Sequence, residues 1–174
     1  MDDEFRGLVR ELGKRSVRFA VIGVAGANYF ASAAGVLFTT QDRDLLLPPD
    51  PDNLMRAWDA CEAAGLALWA NGEPLDTPHD RLVADAVVAR LALTCATRGD
   101  LQIDLTLVMA GFEFERVWNE RRLFIVDGVE IPVARLAHIV ESKAAAGREK
   151  DRLFLATHAE ALRQLLGPPK NPQR

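Results

Sequence analysis

The chain has only two cysteines and three histidines among its 174 residues, and these scarcities exclude several classes of protein. Cys61 and Cys95 stand far apart in apolar contexts, so buried, reduced thiols are expected rather than a disulfide-stapled fold. His79, His138 and His158 are scattered, and no Cys/His cluster has the spacing of a zinc site. No apolar run approaches the roughly 20 residues that a membrane-spanning helix needs, so no membrane partner is expected. The opening MDDEFRGLVR is acidic and lacks the basic, apolar and small-residue order of a secretion signal, which makes the cytoplasm the expected location. Basic residues are not in excess: 21 Lys and Arg face 25 Asp and Glu, for a net charge of −4. That balance excludes a general nucleic-acid binder held by a basic coat. Internal repeats and low-complexity segments are also missing.

What is present is globular in composition, 49% hydrophobic and 26% charged, and long enough to bury a core. A single domain over 1–166 is expected, with a helical C-terminal portion at 135–166 and a flexible tail, GPPKNPQR, at 167–174. DEFRGLVRELGKR spaces Phe5, Leu8 and Leu12 as an amphipathic helix. VRFAVIG is strand-like, and AGANYFASAAG is a short Ala-rich helix ending at Gly35. DRDLLL is a second strand, stopped by Pro48 and Pro49. A helix follows, with Asp50 or Asp52 near its cap and Gly65 at its end; LALWA is a short strand and NGEPLDTPHD a loop. VVARLALTC and DLQIDLTLV are β-rich runs joined by ATRGD as a hairpin. FEFERVWNERR is helical, and LFIVDGVEIPV is a second hairpin turning at Asp127-Gly128. Two helices, ARLAHIVESKAAAG and REKDRLFLATHAEALRQLL, close the chain. The expected class is α/β or α+β, a mixed sheet with helices packed on it.

Chemistry concentrates in the carboxylates. Asp42 and Asp44 lie two apart on a strand and so share one face, roughly 6–7 Å from each other along it. Such a pair suits a divalent ion bound through oxygen, although a strand end facing water would also place them so. In LQIDLTL the apolar Leu101, Ile103, Leu105 and Leu107 share one face, and Gln102, Asp104 and Thr106 the other. Asp104 is thus a lone acid mid-strand, where aspartate is disfavoured. If the two strands are neighbours, three carboxylates converge, an arrangement able to hold Mg²⁺ and a triphosphate. Gly23 ends the first strand and opens a helix whose N-terminal N–H groups attract phosphate. Leu136, Ile139, Val140 and Lys143 follow helical spacing, which puts a lysine on an apolar face, where it either snorkels out or serves a site. The runs at 119–123 and 143–152 are local basic patches or solvated helix faces.

With strand, glycine, helix, DxD strand and a later strand aspartate in place, the chain resembles the nucleotidyltransferase superfamily of the DNA-polymerase-β-like fold. More narrowly it is similar to bacterial AbiEii/MNT-like proteins, many of them toxins of toxin–antitoxin pairs, through GFEFERVWNERRLFIVDGVEIPVARLAHIVESKAAAGREKD. The resemblance covers about Phe19 to Asp151. It implies a nucleotidyltransferase-type mixed sheet with C-terminal helices, and transfer of a nucleoside monophosphate from an NTP with pyrophosphate leaving. It also implies Mg²⁺ or Mn²⁺ held by Asp42, Asp44 and Asp104, with Asp104 as general base. Gly23, Val24, Thr40 and Lys143 would then meet the nucleotide. The implied acceptor is RNA, a tRNA end foremost, or a protein hydroxyl, and the implied partner a cognate antitoxin. An antibiotic such as an aminoglycoside is the alternative acceptor. For RNA, Arg121, Arg122, Arg148, Lys150 and Arg152 are the candidate entry path. Three residues depart from the family pattern: Val24 replaces the second small residue of the turn, Phe38 stands where arginine is usual, and Arg43 separates the two acids. A nucleotide-binding module without transfer is the reading those departures favour.

Overall fold

The computed structural model describes residues 3–168. Helix α1 (Asp3–Lys14) buries Phe5, Leu8 and Leu12, the stripe its spacing predicts, and Val9 beside them. Strand β1 (Ala20–Ile22) runs directly into α2 (Gly23–Ser32), which starts two residues earlier than the sequence suggested. Strand β2 (Asp42–Leu46) leads to α3 (Pro51–Ala63). Asp50 caps α3 by accepting the Asp52 N–H at 3.0 Å, Pro51 occupies the first helical position, and Gly65 follows the end at φ +81°. Strands β3 (Ala67–Ala70) and β4 (Glu73–Pro74) precede α4 (Arg81–Ala89), whose first turn is capped by Asp80 accepting from Leu82 N–H.

Helix α4 corrects the sequence reading. Val87, Val88 and Ala89, expected in a strand, end this helix, and β5 (Thr94–Arg98) begins only at Thr94. The Asp80 cap and the seating of Ala84 and Val87 in the core outweigh the β preference of two adjacent valines. Strand β6 (Leu101–Thr106) completes the expected hairpin with β5. Then come α5 (Phe114–Glu120), β7 (Arg122–Val126) and β8 (Val129–Val133). Asp127 and Gly128 both take positive φ at the β7–β8 turn, the conformation that favours Asp-Gly. After α6 (Leu136–Ala146), the expected single last helix is two, α7 (Glu149–Thr157) and α8 (Ala159–Leu166), broken at His158. Of the tail expected to be flexible, 169–174 lie outside the described residues.

The fold is mixed α+β, with eight helices and one eight-stranded sheet among the described residues. The strand order is β4-β3-β5-β6-β2-β1-β8-β7, with β2·β6 and β1·β8 parallel and the other pairs antiparallel. Two cores cover the sheet. On one face Leu8, Leu54 and Trp58 pack on Leu45, Ile103 and Leu105; on the other, Phe38, Leu136, Ile139 and Leu162 pack near Ile22 and Leu46. No described helix is long and apolar enough to cross a membrane.

Candidate active site

Strand pairing decides where the acids meet. Strands β2 and β6 are parallel neighbours with Asp44 opposite Asp104 and Asp42 opposite Gln102. Paired residues on adjacent strands share a face and stand about 4.8 Å apart in the backbone, so Asp44 and Asp104 are side by side with Asp42 two residues away. Leu45, Ile103 and Leu105 fill the core on the opposite face. Burial, then the nearby charges of Asp104 and Asp42, push the Asp44 carboxyl above its ordinary range, while Lys143 and Lys150 pull it down. Gln102 donates from Nε2 to Asp104 Oδ1 at 3.1 Å and holds that carboxylate in place.

Gly23 closes against this row. Its φ is +67°, and a β-carbon added there would lie 2.4 Å from Asp44 Oδ2. The lack of a side chain is therefore a spatial requirement of the acid row as well as a backbone one. Ile22 pairs with Asp44 across β1 and β2, which explains why the turn into α2 meets the carboxylate.

The cations arrive from the C-terminal helices. Lys143, its side chain 12% exposed, lies 2.9 Å from Asp151 Oδ1 and with its Nζ 5.0 Å from the centre of the Phe154 ring. Asp151 is fully buried and also accepts from Arg148 Nε at 2.6 Å. Burial raises the Asp151 carboxyl, but the bonds from Arg148 and Lys143 outweigh it and hold the group below its usual range. Lys143 thus does not snorkel freely: an anion on α7 orients it.

These groups line one cleft of about 830 Å³, with Gly23, Val24, Thr40, Asp42, Asp44, Asp104, Lys143, Arg148 and Lys150 on its walls. Thr40 is exposed and donates from Oγ1 to the Asp42 carbonyl at 3.2 Å. Of the proposed basic path only Arg148 and Lys150 reach the cleft. Arg121 instead stacks on Trp118 at 3.6 Å and donates to its carbonyl, and Arg122 begins the edge strand β7. Arg152 is exposed on α7 and is not part of the lining.

Two of the three departures from the pattern of the resembled family, Phe38 and Arg43, acquire structural reasons. Phe38 is buried, its ring 5.3 Å from that of Phe154 and 4.7 Å from that of His158, and Asn28 bonds both its N–H and its carbonyl. It joins α2 to α7 where an arginine would carry charge. Arg43 points to the opposite face from the acids, over the ring of Phe5 at 5.3 Å. Cys95 departs from its reading in burial. Expected to be buried, it is half-buried and stands opposite Asp104 on β5, where burial and then the Asp104 charge raise its thiol. Cys61 is fully buried, its thiol pushed up to about 12.

The donor set at the acid row is wholly oxygen and anionic, which fits Mg²⁺ or Mn²⁺ better than softer ions. The fold is that of solved nucleotidyltransferase structures. A candidate nucleotidyltransferase from Thermotoga maritima superposes with a TM-score of 0.56 at 12% identity, covering 90% of this chain and 91% of its own. The antibiotic-resistance factor ANT(2'')-Ia superposes with a TM-score of 0.52 at 16% identity, covering 95% of this chain and 90% of its own. No family model matches the sequence, and no curated protein matches it.

Proposed function

We propose that the protein is a divalent-metal-dependent nucleotidyltransferase that moves a nucleoside monophosphate from an NTP to a hydroxyl. The observation that carries this reading is the in-register pairing of Asp44 with Asp104, beside Asp42, in a cleft whose other wall holds Lys143, Arg148 and Lys150. Asp42, Asp44 and Asp104 would hold Mg²⁺ or Mn²⁺, which when bound offsets their mutual repulsion and the charge of the triphosphate. The side-chain-free backbone at Gly23, with the N–H of Val24 beside it on the cleft wall, would let the phosphates approach the N-terminus of α2 closely. Lys143, fixed by Asp151, neutralises phosphate charge. The acceptor oxygen attacks the α-phosphorus in line, its proton passes to a carboxylate oxygen of Asp104, and the bond from the α-phosphorus to the bridging oxygen breaks to release pyrophosphate.

For the acceptor we propose RNA, a tRNA end foremost, or a protein hydroxyl, with the chain acting as the toxin of a pair neutralised by an antitoxin. The resemblance of 111–151 to AbiEii/MNT-like proteins supports that choice. A small cationic acceptor is the second reading, favoured by the net charge of −4 and by the fold shared with an antibiotic-resistance factor.

The test is transfer of label from each α-labelled NTP, with Mg²⁺ or Mn²⁺, into total bacterial RNA, into protein and into aminoglycosides. Asp44→Asn serves as control. Label that depends on Asp44 is the expected result and identifies the acceptor. Metal-dependent NTP binding without transfer would replace the enzyme with a nucleotide-binding module, and failure of both would refute the reading.

A further inference from the structure

A second cluster of ligand-type side chains lies on the other face of the sheet. Asp59 and Glu62 stand one helical turn apart on α3, and His79 reaches them from the segment before α4. The ligand atoms of all three lie within 4.8 Å of one another. Helix α3 packs through Leu54, Trp58 and Cys61 on the core that contains Ile103 and Leu105, so the sheet separates this cluster from Asp42, Asp44 and Asp104.

The histidine sets the cluster apart from an ordinary acidic surface. Its side chain is 3% exposed and packs on Trp58, with ring centres 5.3 Å apart. Its Nε2 lies 3.1 Å from Glu62 Oε2 and 3.7 Å from Asp59 Oδ1, yet this buried nitrogen makes no hydrogen bond. Both oxygens are near it, and neither lies where a ring N–H would point. A metal ion explains that arrangement. An ion on the lone-pair axis of the nitrogen would let the carboxylate oxygens approach it from the sides. For ligands about 2.1 Å from a tetrahedral ion, neighbouring ligand atoms are about 3.4 Å apart, and the two measured distances bracket that value.

We infer that Asp59, Glu62 and His79 form a second metal site, selective for a divalent transition ion of the Zn²⁺ class. One imidazole with two carboxylates suits Zn²⁺, Co²⁺ or Mn²⁺, and the imidazole disfavours Mg²⁺ and Ca²⁺. Three protein ligands leave a fourth position for water. Asp59 is 57% exposed in its side chain and Glu62 34%, so an ion reaches the site from solvent. Bound there, the ion ties α3 to the segment that leads into α4, and it does so whether or not the acid cleft on the other face transfers nucleotides.

The test is calorimetric titration of Zn²⁺ into the metal-free full chain in excess Mg²⁺, repeated in the Asp44→Asn and Asp104→Asn variants. Thermal melting and tryptophan fluorescence are followed alongside. One Zn²⁺ per chain is expected in all three proteins, with a rise in melting temperature and a fluorescence change from Trp58. Affinity should fall at least about tenfold in Glu62→Gln and in Asp59→Asn. Both are accessible side chains whose replacement leaves the core intact, so the test does not depend on His79→Gln folding. Zinc binding that is lost in Asp44→Asn but unchanged in Glu62→Gln and Asp59→Asn would assign the ion to the acid cleft and overturn the inference. So would the absence of any stoichiometric zinc binding.

Discussion

Replacing Gly23 by alanine separates two costs that the structure makes distinct. The first is conformational: a residue with a β-carbon at φ +67° is strained by roughly 1–2 kcal/mol. Gly128→Ala measures that cost alone, because Gly128 has φ +77° and nothing within 4 Å of an added β-carbon. The second is steric. At Gly23 the new carbon would lie 2.4 Å from Asp44 Oδ2 and 3.4 Å from its Cγ, so the carboxylate must move by about 1 Å to reach ordinary contact. If Asp44 is held, Gly23→Ala should destabilise by about 1–3 kcal/mol more than Gly128→Ala, the usual range for overpacking. If Asp44 rotates away instead, stability is spared and the geometry is lost, at about a hundredfold in transfer rate for a displacement of that size. Urea denaturation and the NTP-transfer assay read the two quantities. Adding Asp44→Ala to Gly23→Ala should recover the steric part of the stability loss and none of the conformational part. Gly23→Ala that matches Gly128→Ala in stability and the unmodified chain in transfer would refute the contact.

Three further predictions rest on the same site. Because the fold raises the Asp44 carboxyl, its ionisation opposes folding as pH rises through the raised value, so metal-free Asp44→Asn should be the more stable protein at neutral pH, by about 1 kcal/mol or less. That advantage should vanish below the ordinary carboxylate range, and melting temperatures across pH check the sign. Asp151 is the opposite case. Its lowered value stabilises the fold above the ordinary range and is lost on acidification below it, so Asp151→Asn should cost about 2–3 kcal/mol at neutral pH and flatten the acid limb of the stability curve. Lys143→Met should cut transfer by at least about tenfold, mainly through weaker use of NTP, in steady-state kinetics with NTP varied.

The acids were legible in the sequence because strand periodicity is strict. One alternation put Asp42 and Asp44 on a common face, and another singled out Asp104 against its apolar neighbours. That β2 and β6 are adjacent, and in the register that sets Asp44 against Asp104, is a long-range fact no local pattern carries. The same divide explains the misreadings. Val87–Ala89 looks like strand by propensity, but a distant core and the Asp80 cap make it helix. The break at His158 coincides with its ring packing on Phe38 from another segment. The Asp59–Glu62–His79 cluster escaped because a search by Cys and His spacing ignores carboxylates. Its one local signal was the pair of acids three apart on a helix.

The register of β2 against β6 also has a consequence in time. Parallel strands cannot meet by a tight turn, and here the run from α3 through β5 lies in the chain between the strands that carry Asp44 and Asp104. The like charges therefore meet through a long-range contact, of the kind that forms more slowly than local helices or the β5–β6 hairpin. A nascent chain carries no acid row until Thr106 has been made, and the repulsion among the three aspartates is added to the barrier of joining the sheet's two halves. Divalent ions in the refolding medium should accordingly speed refolding of the unmodified chain and leave the rate unchanged in Asp44→Asn. The chemistry of the cleft would then be written into the order in which the molecule assembles.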